Sequence, residues 1–170
     1  SEDYQFIENI NASGKNLNLL INDVLDLSKI EAGKAIVVER DFLVKEFISN
    51  LVSIYKPQAY KNRIEFVSYY DPELPLSIKS DKGKINQILI NLIGNAIKYT
   101  PDGSKIEFSI LKESDSAIAI KVVNEGVEIP IEKQKIIFDP FERINRDMHQ
   151  NVKGTGLGLA IVDRIAIDHF

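Results

Sequence analysis

Three glycines at alternate positions, Gly154, Gly156 and Gly158 in "VKGTGLGLAI", stand directly ahead of an apolar run with helical spacing. Glycine weakens helices and widens backbone freedom, so such a cluster needs a reason. One reason is the approach of an anion, because N–H groups at a helix N-terminus carry partial positive charge and the missing side chains let a phosphate reach them. The same glycines also suit a flexible loop leading into a core helix, and they fit neither the P-loop pattern nor the dinucleotide fingerprint. A second set is Asn91, Asn95 and Lys98, spaced four and three apart. That spacing puts all three on one helix face, next to the apolar stripe. An asparagine carbonyl can ligate magnesium and a lysine can neutralise phosphate, whereas the ordinary alternative is a solvated face with satisfied amides. Together with a glycine cradle and a local basic patch at Arg143, Arg146 and Lys153, the three shift the balance toward phosphate chemistry.

These groups need elements to hold them. From Asp3 to about Ala32 the pattern is helical, with Ile10, Leu17 and Val24 in one row of seven-residue spacing, Phe6, Leu20 and Leu27 in a second, and Ile7 and Ile21 beside them. This broad stripe is of the bundle type, and Gly33 is a suitable stop. A lone helix has no core, so it packs on other helices or on the following domain. "AIVVER" then reads as a strand, Leu43 to about Tyr60 as a helix, and "RIEFVSYY" as a strand. Asp71, Pro72 and Pro75 break the chain. Asp81 caps a helix over "KGKINQILINLIGNAIKYT", and "KIEFSILKE" and "AIAIKVVN" form an antiparallel pair joined at Ser114 to Ser116. A short helix near Glu132 to Ile137, a loop from Asp139 to Val152 and the glycine-led helix complete an α+β fold, a mixed sheet covered on one face by helices.

Composition narrows the function. The 170 residues suffice for one ordinary domain with a real core and a helical extension. At 44% hydrophobic and 27% charged, the composition is that of a soluble globular protein, without an apolar run long enough for a bilayer and without a signal or transit peptide. A net charge of -4 speaks against a nucleic-acid partner. There is no cysteine, hence no disulfide or thiolate chemistry, and neither His149 nor His169 has partners at metal-ligand spacing.

The order of segments resembles a known family. "NQILINLIGNAIKYT" is similar to the N box of sensor histidine kinases, "FDPFERI" to their F box and "GTGLGLAIV" to their second glycine box. The leading helix, ending in "LINDVLDLSKIEAGK", resembles the second helix of their dimerisation and histidine-phosphotransfer hairpin. The resemblance implies the second helix of the dimerisation and phosphotransfer region over residues 1–34 and, over residues 35–170, a Bergerat-type α/β sandwich shared with gyrase-type ATPases, MutL-like repair proteins and a class of chaperones. It implies that Asn95 ligates magnesium, that Asn91 and Lys98 lie near the phosphates, and that Tyr99 lines the nucleotide. It assigns ATP phosphates to Gly154, Thr155, Gly156, Leu157 and Gly158, with Arg143, Arg146 or Lys153 touching them from a lid over Glu142 to Lys153. ATP and Mg2+ are the implied cofactors, a homodimer through the leading helix and a response regulator or receiver domain the implied partners. The implied location is cytoplasmic, alone or as the cytoplasmic part of a membrane-bound sensor.

Three departures qualify this. The family's phosphoacceptor motif, histidine followed by an acidic residue and proline, is absent, and neither His149 nor His169 matches it. After "AIDHF" the family continues into two more strands. In the first glycine box, "NEGVEIP", Asn124 replaces the aspartate that recognises adenine and Glu128 replaces a glycine, while Gly126 remains. The expected function is the ATP-binding portion of a histidine kinase whose acceptor histidine lies outside this chain. The alternative is a degenerate module serving dimerisation or regulation. A hydrolytic ATPase is disfavoured, since Asn91 offers no carboxylate to orient water. If the leading stripe joins two copies, charged residues at Leu17 and Val24 will yield a folded, lighter species in light scattering; an unchanged mass would refute the bundle.

Overall fold

The computed structural model describes residues 36–126, 128–143 and 154–169, together with 6, 7, 10, 14, 17, 18, 21–25, 27–29 and 32. The chain forms two compact units, one over Val37–Pro130 and one joining Ser1–Ile36 to Ile131–Phe170.

In the first unit the order is β1 (Arg40–Leu43), α1 (Val44–Lys61), β2 (Glu65–Tyr70), β3 (Ser77–Ser80), α2 (Lys82–Tyr99), β4 (Lys105–Lys112) and β5 (Ile118–Asn124). The main sheet runs β2, β4, β5. β2 is parallel to β4, with Phe66 opposite Ile106, and β4 is antiparallel to β5, with Ile110 opposite Ile120. A parallel pair needs a crossover, and the chain between β2 and β4 supplies it through α2. Alternation in β4 puts Ile106, Phe108 and Ile110 into the core with no exposed surface. Phe47, Ile48 and Leu51 of α1 and Leu89, Ile93 and Ala96 of α2 meet them there. The unit is therefore the expected mixed sheet with helices on its apolar face.

Three details differ from the sequence reading. "AIVVER" is not a strand: residues 36–39 are irregular and β1 begins at Arg40, where β3 offers Ser80 as partner. The reason is a distant partner, since the Val38 N–H donates to the Asp81 side chain instead of to a neighbouring strand. β3 itself, "SIKS", escaped notice because four residues with one apolar member carry no period; its pairing with β1 makes it a strand. The helix near Glu132 to Ile137 is a turn over 131–135 followed by a 3-10 helix at Ile136–Phe138. Pro140 disfavours helical backbone at the residue before it, and Asp139 is accordingly extended, with ψ at 140°.

The second unit contains that 3-10 helix and α3 (Gly158–His169), which pack together. Leu157, Ala160, Ile161 and Ile165 are buried. The described residues between 6 and 29 are helical, and Phe6, Ile7, Ile10, Leu17, Ile21, Val24 and Leu25 are exposed. Leu20 and Gly33 lie outside the described residues.

Asp71 closes the turn after β2. Its Oδ1 accepts from the Glu73 N–H at 2.9 Å and its Oδ2 from the Lys112 N–H at 3.1 Å. The Glu73 N–H and then the Lys112 N–H hold its carboxyl below the usual carboxylate range. A carboxylate with a lowered folded pKa stabilises fully above its unfolded pKa, and that contribution disappears as the pH falls through the folded value. The melting temperature should therefore drop below about pH 4, and Asp71→Asn should flatten this drop. Thermal melts of both proteins across that range provide the check, and identical profiles would remove Asp71 from the account.

Candidate functional site

α2 has to serve the core and the site at once. Asp81 starts it, its Oδ1 accepting from the Lys84 N–H at 3.0 Å. Leu89, Ile93 and Ala96 are buried, while Asn91, Asn95, Lys98 and Tyr99 stay half-buried along the neighbouring face. The Asn91 Nδ2 turns back to the Gln87 carbonyl at 3.0 Å, which points its oxygen away from that bond and leaves it available as an acceptor. Among the described residues the Asn95 amide has no partner and Lys98 no ion pair. The Lys98 ammonium lies 4.8 Å from the centre of the Tyr99 ring, a cation–π contact.

The end of β5 comes to the same helix. The Asn124 Nδ2 donates to the Glu125 carbonyl at 3.3 Å. Turning the amide over would oppose two oxygens, so Asn124 keeps its Oδ1 as the outward acceptor. Glu125 is pinned to the start of β4: its N–H donates to the Lys105 carbonyl at 3.2 Å, and its Oε2 accepts from the Lys105 N–H at 3.1 Å. At Gly126 a Cβ would stand 3.0 Å from the Tyr99 carbonyl oxygen and 3.2 Å from the Asn124 Nδ2. The bare backbone thus lets the loop lie against the last turn of α2. Glu128 is exposed.

This donor set fits a magnesium nucleotide. Amide oxygens of Asn91 and Asn95 suit a hard cation, Lys98 a phosphate, Tyr99 a base and the Asn124 oxygen an amino group. Among the described residues no group of three His, Asp or Glu side chains is close enough to hold a metal, so a bound magnesium would take its remaining oxygens from phosphate and water.

The second glycine box belongs to the other unit, and there the structure finds a different use for a glycine. Gly156 has φ +74°, and a Cβ on it would stand 2.9 Å from the Cα and carbonyl carbon of Phe141. The Phe141 N–H donates to the Gly156 carbonyl at 2.9 Å, with Phe141 itself at φ 66°. Two left-handed residues clasp the F box to the glycine box. Nothing in the residue types around Phe141 announced this. The Thr155 hydroxyl accepts from the Leu157 N–H at 3.1 Å and stands 3.4 Å from the Asp23 carboxylate, while the Leu157 carbonyl accepts from the Ile161 N–H at 2.9 Å to open α3. Leu157 is fully buried, Gly154 is exposed and Gly158 is the first residue of α3. Arg143 is half-buried; Arg146, His149 and Lys153 lie outside the described residues.

Residues 80–170, which hold the N box, the F box and both glycine boxes, match the histidine kinase-, DNA gyrase B- and HSP90-like ATPases. The chain belongs to that family. Over 164 residues it is 35% identical to a hybrid signal transduction histidine kinase B of Dictyostelium discoideum, a match that covers 95% of this chain and 8% of that protein. Its fold superposes on full-length ShkA in complex with AMPPNP at a TM-score of 0.84 and 25% identity, covering 98% of this chain and 34% of that one. It superposes on the histidine kinase ThkA in complex with the response regulator TrrA at a TM-score of 0.64 and 27% identity, covering 81% of this chain and 40% of that one. The chain is thus a small part of its relatives, and within the family it is of the sensor histidine kinase type with a Bergerat-type fold.

The close approach at Gly156 yields one measurable contrast. Gly156→Ala forces a left-handed alanine into backbone and should cost about 1 to 3 kcal/mol. Gly103→Ala, also at positive φ but in open space, should cost only the smaller conformational part. Urea unfolding of the two variants tests the clasp, and equal losses would dismiss it.

Proposed function

We propose that the chain is the ATP-binding, phosphotransferring portion of a two-component sensor histidine kinase, acting on a histidine other than His149 and His169. The observation that carries this is the meeting of the Asn91, Asn95 and Lys98 face with the Asn124 and Gly126 loop at the last turn of one helix. In this reading Asn95 ligates Mg2+, Asn91 orients oxygens near the phosphates, and Lys98 offsets their charge as it spreads during transfer. Tyr99 lines the base and the Asn124 oxygen accepts from the adenine amino group. Gly154, Thr155, Gly156, Leu157, Gly158, Arg143 and Lys153 take the phosphate roles that the family resemblance assigns. An imidazole acceptor is itself a nucleophile, so no carboxylate base is required at Asn91.

ThkA's complex with a response regulator supports a response regulator or receiver domain as downstream partner. The exposed apolar residues of the leading helix support dimerisation through it. Among the described residues no helix is long and apolar enough to cross a membrane. Cytoplasmic ATP is the expected supply, and residues 1–34 act as the second helix of the dimerisation and phosphotransfer hairpin, ahead of the domain at 35–170.

Asn124 and Glu128 favour a second reading, a regulatory module with little affinity for nucleotide. Asparagine accepts without charge where aspartate accepts with it, a difference of about 1 to 2 kcal/mol, or roughly tenfold in affinity. Calorimetric titration with Mg2+ and a non-hydrolysable ATP analogue should show weak binding that strengthens about tenfold in Asn124→Asp plus Glu128→Gly. No binding by either protein would favour the regulatory module.

A further inference from the structure

Asp81 is more than a helix cap. A cap needs one acceptor oxygen, and asparagine or serine supplies it without burying a charge. Yet Asp81 is 8% exposed, the one buried carboxylate among the described residues. Burial of a charge is costly unless its oxygens are bonded, and here both are. Oδ1 takes the Lys84 N–H at 3.0 Å, while Oδ2 takes the N–H of Val38, forty-three positions away in the chain, at 2.9 Å. Burial raises its pKa, but the Val38, Lys84 and Gly83 N–H groups and the Lys84 charge outweigh this, so the group remains a carboxylate.

The far end of the second bond is the informative one. Residues 36–39 are exposed and belong to no strand, and β pairing begins only at Arg40. Beside them lies a cavity of about 670 Å³, lined by Val38, Phe42, Phe47, Asp81, Lys82 and Asn86 among others. Packing therefore gives this stretch little support, and the Asp81 bond fixes it. α2 is continuous from Lys82 to Tyr99, so whatever moves its first turn moves Asn91, Asn95 and Lys98 with it.

We propose that Asp81 is a positioning residue that locks α2 to the segment by which the chain enters the sheet unit, so that the placement of the Asn91, Asn95 and Lys98 face follows that segment. Strain arriving along residues 37–39 is passed through one carboxylate to the helix that carries the site. The consequence for nucleotide binding rests on the function proposed above; the coupling itself does not.

The test uses the whole chain and two substitutions that reach the bond from opposite sides. Asp81→Asn retains one oxygen to cap Lys84 but opposes an amino group to the Val38 N–H. Val38→Pro removes that N–H and leaves the cap alone. Hydrogen exchange should show segment 37–39 opening about tenfold faster in Asp81→Asn, as expected for loss of a charge-assisted bond, with the Lys84 and Ile85 amides still protected. In NMR spectra the side-chain amide signals of Asn91 and Asn95 should shift in both variants, and the double variant should add nothing further. A role confined to capping predicts otherwise: Asn91 and Asn95 signals unmoved in Val38→Pro, or shifts that add in the double variant, would overturn the proposal. Titration with Mg2+ and an ATP analogue should weaken by several fold in each single variant. Shifted signals with no nucleotide binding in any of the proteins would uphold the coupling and refute the proposed function instead.

Discussion

A helix that buries Leu89, Ile93 and Ala96 against a sheet is held in its rotation about its own axis, and this sets which way Asn91, Asn95 and Lys98 face, while small shifts of the whole helix are left to contacts such as that of Asp81. The site face and the core face of α2 are neighbours on one cylinder, so the core sets the direction of the site. The fully buried Ile106, Phe108 and Ile110 of β4 form the floor that enforces that rotation. Precision at polar residues thus comes from apolar ones, since close-packed side chains tolerate little rotation of the helix above them.

Glycine has two separable uses in this chain. Gly126 admits the Tyr99 carbonyl and Gly156 admits the backbone of Phe141, so both give room to protein before any ligand. A motif read as a phosphate cradle is therefore also a fastening between two loops. The left-handed pair at Phe141 and Gly156 makes that fastening directional, because only one partner can be a residue with a side chain.

Charge in the sheet unit is handled by backbone donors rather than by ion pairs. Asp71 and Asp81 each gather N–H groups from segments far apart in sequence, whereas the ion pairs, such as Arg63 with Asp102, sit on the surface. Exposed pairs contribute little, while a carboxylate held by two N–H groups fixes two stretches of chain at one point. The matches to relatives cover nearly the whole of this chain and a small part of those proteins.

Much of this was legible in the residues alone. The helical period of α2, the alternation in β4 and β5, the cap at Asp81 and the order of the boxes are local signals, because periodicity and capping depend on neighbours within a turn or two. The misplaced strand at "AIVVER" and the unseen β3 turn on partners elsewhere: Asp81 took the donor of Val38 and β1 made a strand of "SIKS", whereas the neighbouring Pro140 ended the 3-10 helix at Ile136–Phe138. The family resemblance named Asn124 and Gly126 as candidates for the site, but only folding showed that the Asn124 oxygen is the free end of its amide and that Gly126 lies on Tyr99. Sequence determined which groups are present and which face of its own helix or strand each one shares. Tertiary structure decided which distant backbone each of them meets, because hydrogen bonds and van der Waals exclusion act through space and not along the chain.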